Sequence, residues 1–339
     1  MFKYAKNRNG NISLIVMAIL LSIALVTAFK PYLTSNNHFD NRIGFGISTK
    51  ADPQIWSEML HASWYLDWKT SAIPASSSPE YWQMIRLSKD GWKPSTTEIK
   101  KLLFLYPGHI WIIGNEPDNI WQDNISAEQF ARYYHDLYHI IKFNDPSAGV
   151  AIGAISQATP IRLDYLDRVL SIYKQEYGAN LKVDWWTLHA YVLREENQSW
   201  GADLPPGFEG SKGNLYEIKQ HGDLDIFKQN IVEFRQWMKN NGYQSTTLAI
   251  TEFGILLPEQ FGYTPEFVAD YLNHSFIWLN SAVDTSLGFE KDGYHLVQKF
   301  AWFSLNDQIY PVANLADLTS NKITKIGESF RNTIIFLKQ

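Results

Sequence analysis

The sequence predicts an α/β protein built as a single (β/α)₈ barrel, preceded by an N-terminal hydrophobic segment. Eight short apolar runs recur over about 265 residues, close to the ~250 residues typical of this barrel. Segments with helical patterning separate the runs. Several runs end abruptly in acidic or amide residues, as expected of strands that open onto the C-terminal mouth of this fold.

Each apolar run is short enough to be one buried strand. The eight runs are RIGFGIS (42–48), ASWYLDW (62–68), YWQMIRLS (81–88), HIWIIGNE (109–116), AGVAIGAIS (148–156), VDWWTLHAYV (183–192), TLAITEFG (247–254) and KFAWFSLND (299–307). The segment between the second and third runs has the weakest helical pattern. A doubly wound open sheet is the alternative, but it would need a Gly-rich phosphate turn after an early strand. The first run is not followed by such a helix start, so the barrel is preferred.

Helix start and stop signals lie between the runs. The segments with the strongest helical pattern are 126–143, 161–178 and 225–242. Ser126 is placed as an N-cap, with Gln129 three residues later. Gly178 and Gly242 are placed as C-caps of the other two helices.

The N-terminus indicates export. The predicted division of the chain is a cytoplasmic basic flank (1–11), an uncharged apolar segment (12–29), a polar tether (30–40) and the barrel domain (41–339). Eighteen apolar or small residues are at the lower limit for spanning a bilayer, and the basic flank directs the rest of the chain outward. A removable signal peptide ending near Ala28 is the alternative. The protein is therefore expected to be membrane-anchored facing outside, or secreted if that segment is cleaved.

Composition limits the partners. A net charge of −5 leaves no basic stripe for phosphates, so nucleic acid is not an expected partner. The absence of cysteine removes disulfides, thiolate metal sites and cysteine nucleophiles. We expect a monomer with no metal or other cofactor. The aromatic residues, including 13 Trp, indicate an aromatic-rich core, surfaces for sugar rings, or both.

Two of the runs end in a glutamate. IWIIGNEPDN presents Glu116 after an apolar strand, and TLAITEFGI presents Glu252 in the same way. The simpler interpretation is a strand that runs into a polar turn, stopped by Pro117. The fourth and seventh strands of a closed barrel, however, approach each other across its mouth. Two carboxylates placed there are what glycoside hydrolysis requires, one protonated and one ionised.

The motifs GNEPD, LHAY, TEFG and AWF, in this order on strands four, six, seven and eight, resemble the clan-A type of retaining (β/α)₈ glycoside hydrolases. The nearest resemblance is to the Asl1-like glycosyl hydrolase catalytic core, a group that contains certain endo-β-1,3-glucanases. WYLDW on strand two also resembles that group. The resemblance extends over residues ~40 to 310, the span expected of one such barrel.

This resemblance implies cleavage of a β-linked poly- or oligosaccharide by double displacement. It implies that Glu116 is the acid/base and Glu252 the nucleophile. Asn115 would hold the sugar 2-hydroxyl, and Trp302 would be the aromatic platform beneath the sugar at the cleavage point. The remaining candidates are His189 and Tyr191 at the end of strand six, and Trp68 and Asp67 as a sugar subsite on strand two.

Two features depart from this pattern and leave the substrate open. One is the sequence QMIRLSKDGW at strand three. The other is the long loop 193–224, which is expected to fold over the catalytic face and offers Trp200, Tyr216 and Glu217 as candidates. A non-catalytic sugar-binding barrel and a cell-envelope scaffold are the alternatives, but neither needs both glutamates.

Overall fold

The computed structural model describes residues 42–48, 50–72 and 79–339. The segments 1–11, 12–29 and 30–40, on which the expected export and anchoring depend, lie outside the described residues. Within the described ranges, no helix combines the length and apolar character needed to cross a membrane.

Eight parallel strands close into a barrel, as the sequence predicts. The barrel strands are β1 (Ile43–Gly46), β2 (Trp64–Leu66), β3 (Glu80–Ser88), β5 (Ile110–Ile113), β6 (Gly149–Ile152), β7 (Trp185–His189), β8 (Thr247–Phe253) and β9 (Lys299–Trp302). Each pairs with its neighbour in chain order, and β9 pairs with β1 to close the sheet. This closure rules out the open-sheet alternative. A short strand, β4 (Gly91–Lys93), extends β3 as an antiparallel hairpin outside the barrel.

Helices follow most of the strands. They are α1 (Pro53–Leu60), α2 (Thr96–Leu105), α3 (Ala127–Asn144), α4 (Pro160–Tyr177), α5 (Leu224–Asn240), α6 (Pro265–Ser281) and α7 (Lys325–Leu337). A small antiparallel pair, β10 (Ala316–Asp317) and β11 (Lys322–Ile323), precedes α7. Between β2 and β3 the described residues contain no helix. That connection is where the helical pattern of the sequence is weakest.

The predicted helix ends are correct at two positions and wrong at one. The Ser126 hydroxyl accepts a hydrogen bond from the Gln129 backbone N–H (3.3 Å). Gly178 caps α4 in the left-handed conformation, with φ of 66°. Helix α5, in contrast, is capped by Asn241, and Gly242 follows it with φ of 83°. The last turn of α5 therefore ends one residue earlier than the glycine suggests.

Side chains alternate between the two faces of each barrel strand and form two cores. The inner core has large side chains on one side of the barrel and small ones opposite; its members are Trp64, Leu66, Trp82, Met84, Ile112, Ala151, Ala249 and Ala301. The outer core lies between the strands and the helices and holds most of the buried aliphatic and aromatic residues. Because side chains fill the barrel interior, functional groups can reach a ligand only at the ends of the strands.

The ends of β5 and β6 lie unusually close together. The Gly153 N–H donates to the Ile113 carbonyl (2.8 Å), and a Cβ built on Gly153 would lie 2.6 Å from the Gly114 carbonyl. A methyl group at this position would therefore push the two strand ends apart, directly beneath Asn115 and Glu116.

We expect Gly153→Ala to lower the free energy of unfolding by about 1–3 kcal/mol, the usual cost of overpacking a rigid site. Gly210→Ala is the control, because a Cβ there meets no atom within 4 Å. Urea denaturation of both variants measures the effect. Equal stability of the two variants would contradict the close contact between the ends of β5 and β6 at Gly153.

Candidate active site

The two glutamates meet at the C-terminal mouth of the barrel. Glu116 lies in the turn after β5, in a left-handed backbone conformation (φ of 44°), and Glu252 is the penultimate residue of β8. Each is only 6% exposed. One oxygen of each carboxylate and one ring nitrogen of His189 all lie within 4.8 Å of one another. A left-handed non-glycine residue in such a place is the kind of strain often found at functional sites.

His189, at the end of β7, lies between the two carboxylates and is fully buried. Its Nδ1 is hydrogen-bonded to Oε1 of Glu116 (2.9 Å). Its Nε2 is 3.2 Å from Oε1 of Glu252, within ion-pair distance but not aligned as a hydrogen bond. Burial disfavours the charged imidazole, yet the charges of Glu252 and Glu116 outweigh it and raise the pKa of His189.

Two further donors hold Glu252. The Trp68 indole Nε1–H donates to its Oε1 (2.5 Å), and the Tyr191 hydroxyl donates to its Oε2 (3.2 Å). Trp68 can approach this closely because residue 46 is glycine: a Cβ on Gly46 would lie 2.5 Å from the Trp68 ring. Burial nevertheless raises the pKa of Glu252, against the opposing effect of His189 and with a further contribution from the charge of Glu116.

Glu116 has a different environment. Its Oε2 accepts a hydrogen bond from the Asn119 side-chain amide (2.7 Å), and the same amide contacts the Ser156 hydroxyl (3.2 Å). Burial would raise the pKa of Glu116, but the hydrogen bond and charge of His189, assisted by the charge of Arg162, lower it. The pKa values of the two carboxylates are therefore displaced in opposite directions.

A fully buried Arg162, in the first turn of α4, connects the turn after Glu116 with the long loop 193–224. Its guanidinium forms ion pairs with Asp118 and with Glu195 (2.7 Å). It also donates to the backbone carbonyls of Ala202 (3.2 Å) and Asp203 (2.6 Å). The buried cation is thus matched by two carboxylates, as burial of a charge requires.

A cleft of about 290 Å³ opens above the two glutamates. Its lining residues are Glu116, Asn119, Trp121, Gln122, Tyr191, Leu193, Trp200, Gly201, Glu252, Leu256, Leu257, Phe303 and Tyr310. The long loop contributes Leu193, Trp200 and Gly201, so it does fold over this face as predicted. Tyr216 and Glu217 are not among the lining residues. The Tyr216 hydroxyl instead accepts a hydrogen bond from Asn214 (2.9 Å).

The prediction for Trp302 is wrong. Trp302 is fully buried in the outer core, where it packs against Phe253 and Phe276 and donates to the Ala313 carbonyl (2.8 Å). Because side chains alternate along β9, Ala301 faces the barrel interior and Trp302 faces the helices. The aromatic residue that reaches the cleft from this strand is Phe303, one position later.

Two other residues that were predicted to contact sugar do not line the cleft. Asp67 accepts a hydrogen bond from the Tyr81 hydroxyl (2.5 Å) and pairs with Lys69 (3.4 Å), and it does not line the cleft. Asn115 is buried, with its amide directed at Gln122 (3.3 Å). Its Oδ1 has no hydrogen-bond partner among the described residues.

The sequence interpretation missed Asn119, Ser156 and Arg162. Asn119 was visible in the stretch IWIIGNEPDN, three residues after Glu116, which is the spacing at which an amide can turn back to the carboxylate. Ser156 and Arg162 carry no local signal, since each depends on a partner more than 30 residues away.

Among the described residues, Glu116, His189 and Glu252 are the one group of three or more His, Asp or Glu side chains close enough to share a metal ion. The two nitrogens of His189 face different carboxylates, an arrangement suited to proton sharing. The chain also contains one H-x-x-x-H spacing, His135 and His139, on α3. Their Nδ1 atoms contact the Tyr173 hydroxyl (3.1 Å) and the His135 carbonyl (2.7 Å), and neither residue lines the cleft.

Residues 44–202 match the family model described as glycosyl hydrolase catalytic core. The matched segment includes Glu116 and His189, and Glu252 lies beyond it. Over this segment the chain is similar to glycosyl hydrolases. The comparison with curated protein sequences found no match.

Solved glycosidase structures share the fold of this one. A GH128 (subgroup II) endo-β-1,3-glucanase from Sorangium cellulosum matches with a TM-score of 0.58 and 14% identity, covering 86% of this chain and 98% of its own. A GH128 (subgroup III) curdlan-specific exo-β-1,3-glucanase from Blastomyces gilchristii matches at 0.59 and 17%, covering 87% and 99%. A GH128 (subgroup I) endo-β-1,3-glucanase from Amycolatopsis mediterranei, in complex with laminaritriose, matches at 0.57 and 17%, covering 86% and 99%.

The hydrogen bond from Trp68 to Glu252 can be tested directly. A donor to a carboxylate stabilises its ionised form, so removing the donor favours the protonated form. We expect Trp68→Phe to raise the pKa of Glu252 further, which moves ionisation of the site to higher pH. A carboxyl-carbon NMR titration of enzyme labelled at glutamate would measure it, with Trp92→Phe, remote from the cleft, as control. An unchanged titration would show that the indole does not act on Glu252.

Proposed function

We propose that this protein is a retaining glycosidase that cleaves β-linked glucan by double displacement, with Glu116 as acid/base and Glu252 as nucleophile. The observation that carries the proposal is the separation of the carboxylates. Retaining glycosidases place them about 5–5.5 Å apart, whereas inverting enzymes leave ~6.5–9.5 Å for a water molecule. The approach of the Glu116 and Glu252 oxygens to within 4.8 Å supports the retaining arrangement.

The substrate we propose is a β-1,3-linked glucan. The solved structures that share this fold include endo- and exo-acting β-1,3-glucanases, one of them bound to laminaritriose. Five aromatic side chains line the cleft together with its polar groups: Trp121, Tyr191, Phe303, Tyr310 and, from the long loop, Trp200. Aromatic faces of this kind pack well on the C–H faces of sugar rings.

In the proposed first step, Glu116 gives its proton to the glycosidic oxygen. One oxygen of Glu252 attacks the anomeric carbon as the bond to the leaving sugar breaks, which gives a glycosyl-enzyme ester. In the second step Glu116, now ionised, takes a proton from water while the water oxygen displaces Glu252. The hydrogen bonds from Trp68 and Tyr191 hold the attacking carboxylate in position.

The proposed roles require a protonated Glu116 and an ionised Glu252, the reverse of the directions in which the protein displaces their two pKa values. Substrate must therefore redistribute the proton. Positive charge that develops at the anomeric carbon favours an ionised Glu252, and a sugar that covers Glu116 removes water from it and favours its neutral form. His189 contacts both carboxylates and is placed to carry that redistribution.

Two further features belong to the same proposal. His189 and Tyr191 orient the two glutamates. Export by the N-terminal apolar segment would bring the enzyme to glucan outside the cytoplasm. The proposed enzyme acts as a monomer and needs no cofactor. A non-catalytic sugar-binding barrel would need neither the strained turn at Glu116 nor the paired carboxylates.

Glu116→Gln and Glu252→Gln separate the two roles. On β-1,3-glucan, whose leaving sugar needs a proton, we expect Glu116→Gln to lose about 10²–10⁴-fold in kcat/KM. On an aryl β-glucoside with an activated phenol, Glu116→Gln should release a fast burst of phenol and then slow, because the second step lacks its base. Glu252→Gln should show neither burst nor turnover, because an amide cannot form the ester.

Asn241→Gln, on the outer helix ring, is the matched control and should behave like the unmodified enzyme on both substrates. A burst from Glu252→Gln and none from Glu116→Gln would mean that the roles of the two glutamates are reversed. Absence of any activity on β-glucans in the unmodified enzyme would contradict the proposed substrate.

A further inference from the structure

An exposed tryptophan stands at the edge of the cleft. Trp121 is 72% exposed and lines the cleft together with Glu116. An indole that remains this exposed adds little to folding stability, because most of its apolar surface stays in water. Other exposed aromatics, such as Phe104 and Phe143, lie on the helices outside the cleft. Trp121 therefore differs from Phe104 and Phe143 in that it lines the cleft.

The backbone that carries Trp121 is fixed to Glu116. The Trp121 N–H donates to Oδ1 of Asn119 (3.0 Å), and the Asn119 amide donates to Oε2 of Glu116 (2.7 Å). The Gln122 N–H donates to the Asn119 carbonyl (3.0 Å), and the Gln122 side chain accepts from Arg86 (3.0 Å). The turn is thus internally bonded, and a sugar that stacked there would not have to order it.

The proposed mechanism indicates which sugar of the substrate would stack on Trp121. The acid must reach the oxygen of the leaving sugar, so that sugar lies against the turn that carries Glu116. The sugar that becomes bonded to the enzyme lies instead over Glu252, near Trp68 and Tyr191. Trp121, five residues after Glu116 in the same turn, is on the leaving-sugar side.

We propose that Trp121 is the stacking platform for the leaving sugar of a β-glucan, and hence for an incoming sugar acceptor. The inference rests on the proposed retaining function. In the transfer reaction an acceptor hydroxyl oxygen bonds to the anomeric carbon, the ester bond to Glu252 breaks, and the hydroxyl proton passes to Glu116. No further reactant is needed, since the acceptor replaces water.

Two substrates isolate this subsite. A β-1,3-glucan polymer occupies the leaving side with sugar, whereas the β-fluoride of laminaribiose places only fluoride there. We expect Trp121→Ala to lower the ratio of kcat/KM for the polymer to kcat/KM for the fluoride by about 10- to 100-fold, the size of a lost aromatic contact face. The laminaribiose concentration that gives half-maximal transfer should rise by a similar factor.

Trp121→Phe should recover most of both effects, because it keeps an aromatic face. Phe143 is an aromatic residue on α3 that is even more exposed (88%), and Phe143→Ala should leave the ratio unchanged. If the unmodified enzyme cleaves both substrates and Trp121→Ala changes neither the ratio nor the transfer, the platform is overturned while the proposed function stands. If the unmodified enzyme cleaves neither substrate, both are overturned.

Discussion

The interaction on which the site depends is the contact of one imidazole with two buried carboxylates. Glu116 and Glu252 lie so close together, and are so largely buried, that their mutual repulsion would disfavour two negative charges. His189 lies between them with one ring nitrogen facing each, and its raised pKa reflects their field. The three groups therefore titrate as a unit, and any bound sugar acts on all of them together.

A second buried charge extends this arrangement outward. Arg162 is fully buried and paired with Asp118 and Glu195. Asp118 belongs to the turn that carries Glu116, and Glu195 belongs to the long loop. Since the one guanidinium bridges both carboxylates, it holds the turn and the loop together. The cleft wall formed by Leu193, Trp200 and Gly201 is thereby linked to the position of Glu116.

The sequence was sufficient for the barrel and for the pairing of the glutamates. Each strand is a short apolar run, and closure of eight such runs brings the ends of β5 and β8 to the same mouth. Residues whose neighbours are local in sequence were therefore predictable. The N-cap Ser126 is one example, and the placement of Glu116 directly after an apolar strand is another.

Details that depend on one-residue register or on distant partners were not predictable. Trp302 and Phe303 are adjacent aromatics, and only the alternation of β9 decides that the second one faces the cleft. Trp68 was expected to contact sugar, but the space left at Gly46 and a φ of 55° turn its indole N–H toward Glu252. In the sequence Arg162 resembles any polar residue on a helix, because its partner Glu195 is brought to it only by the fold.

The most direct test of the central claim is the anomeric form of the first product. Proton NMR of a β-1,3-glucan digest, recorded before mutarotation, distinguishes the two anomers. Double displacement by Glu116 and Glu252 predicts that the new reducing end appears first as the β-anomer and equilibrates later. An α-anomer at the earliest time points would mean single displacement by water, and Glu252 could not then be the nucleophile.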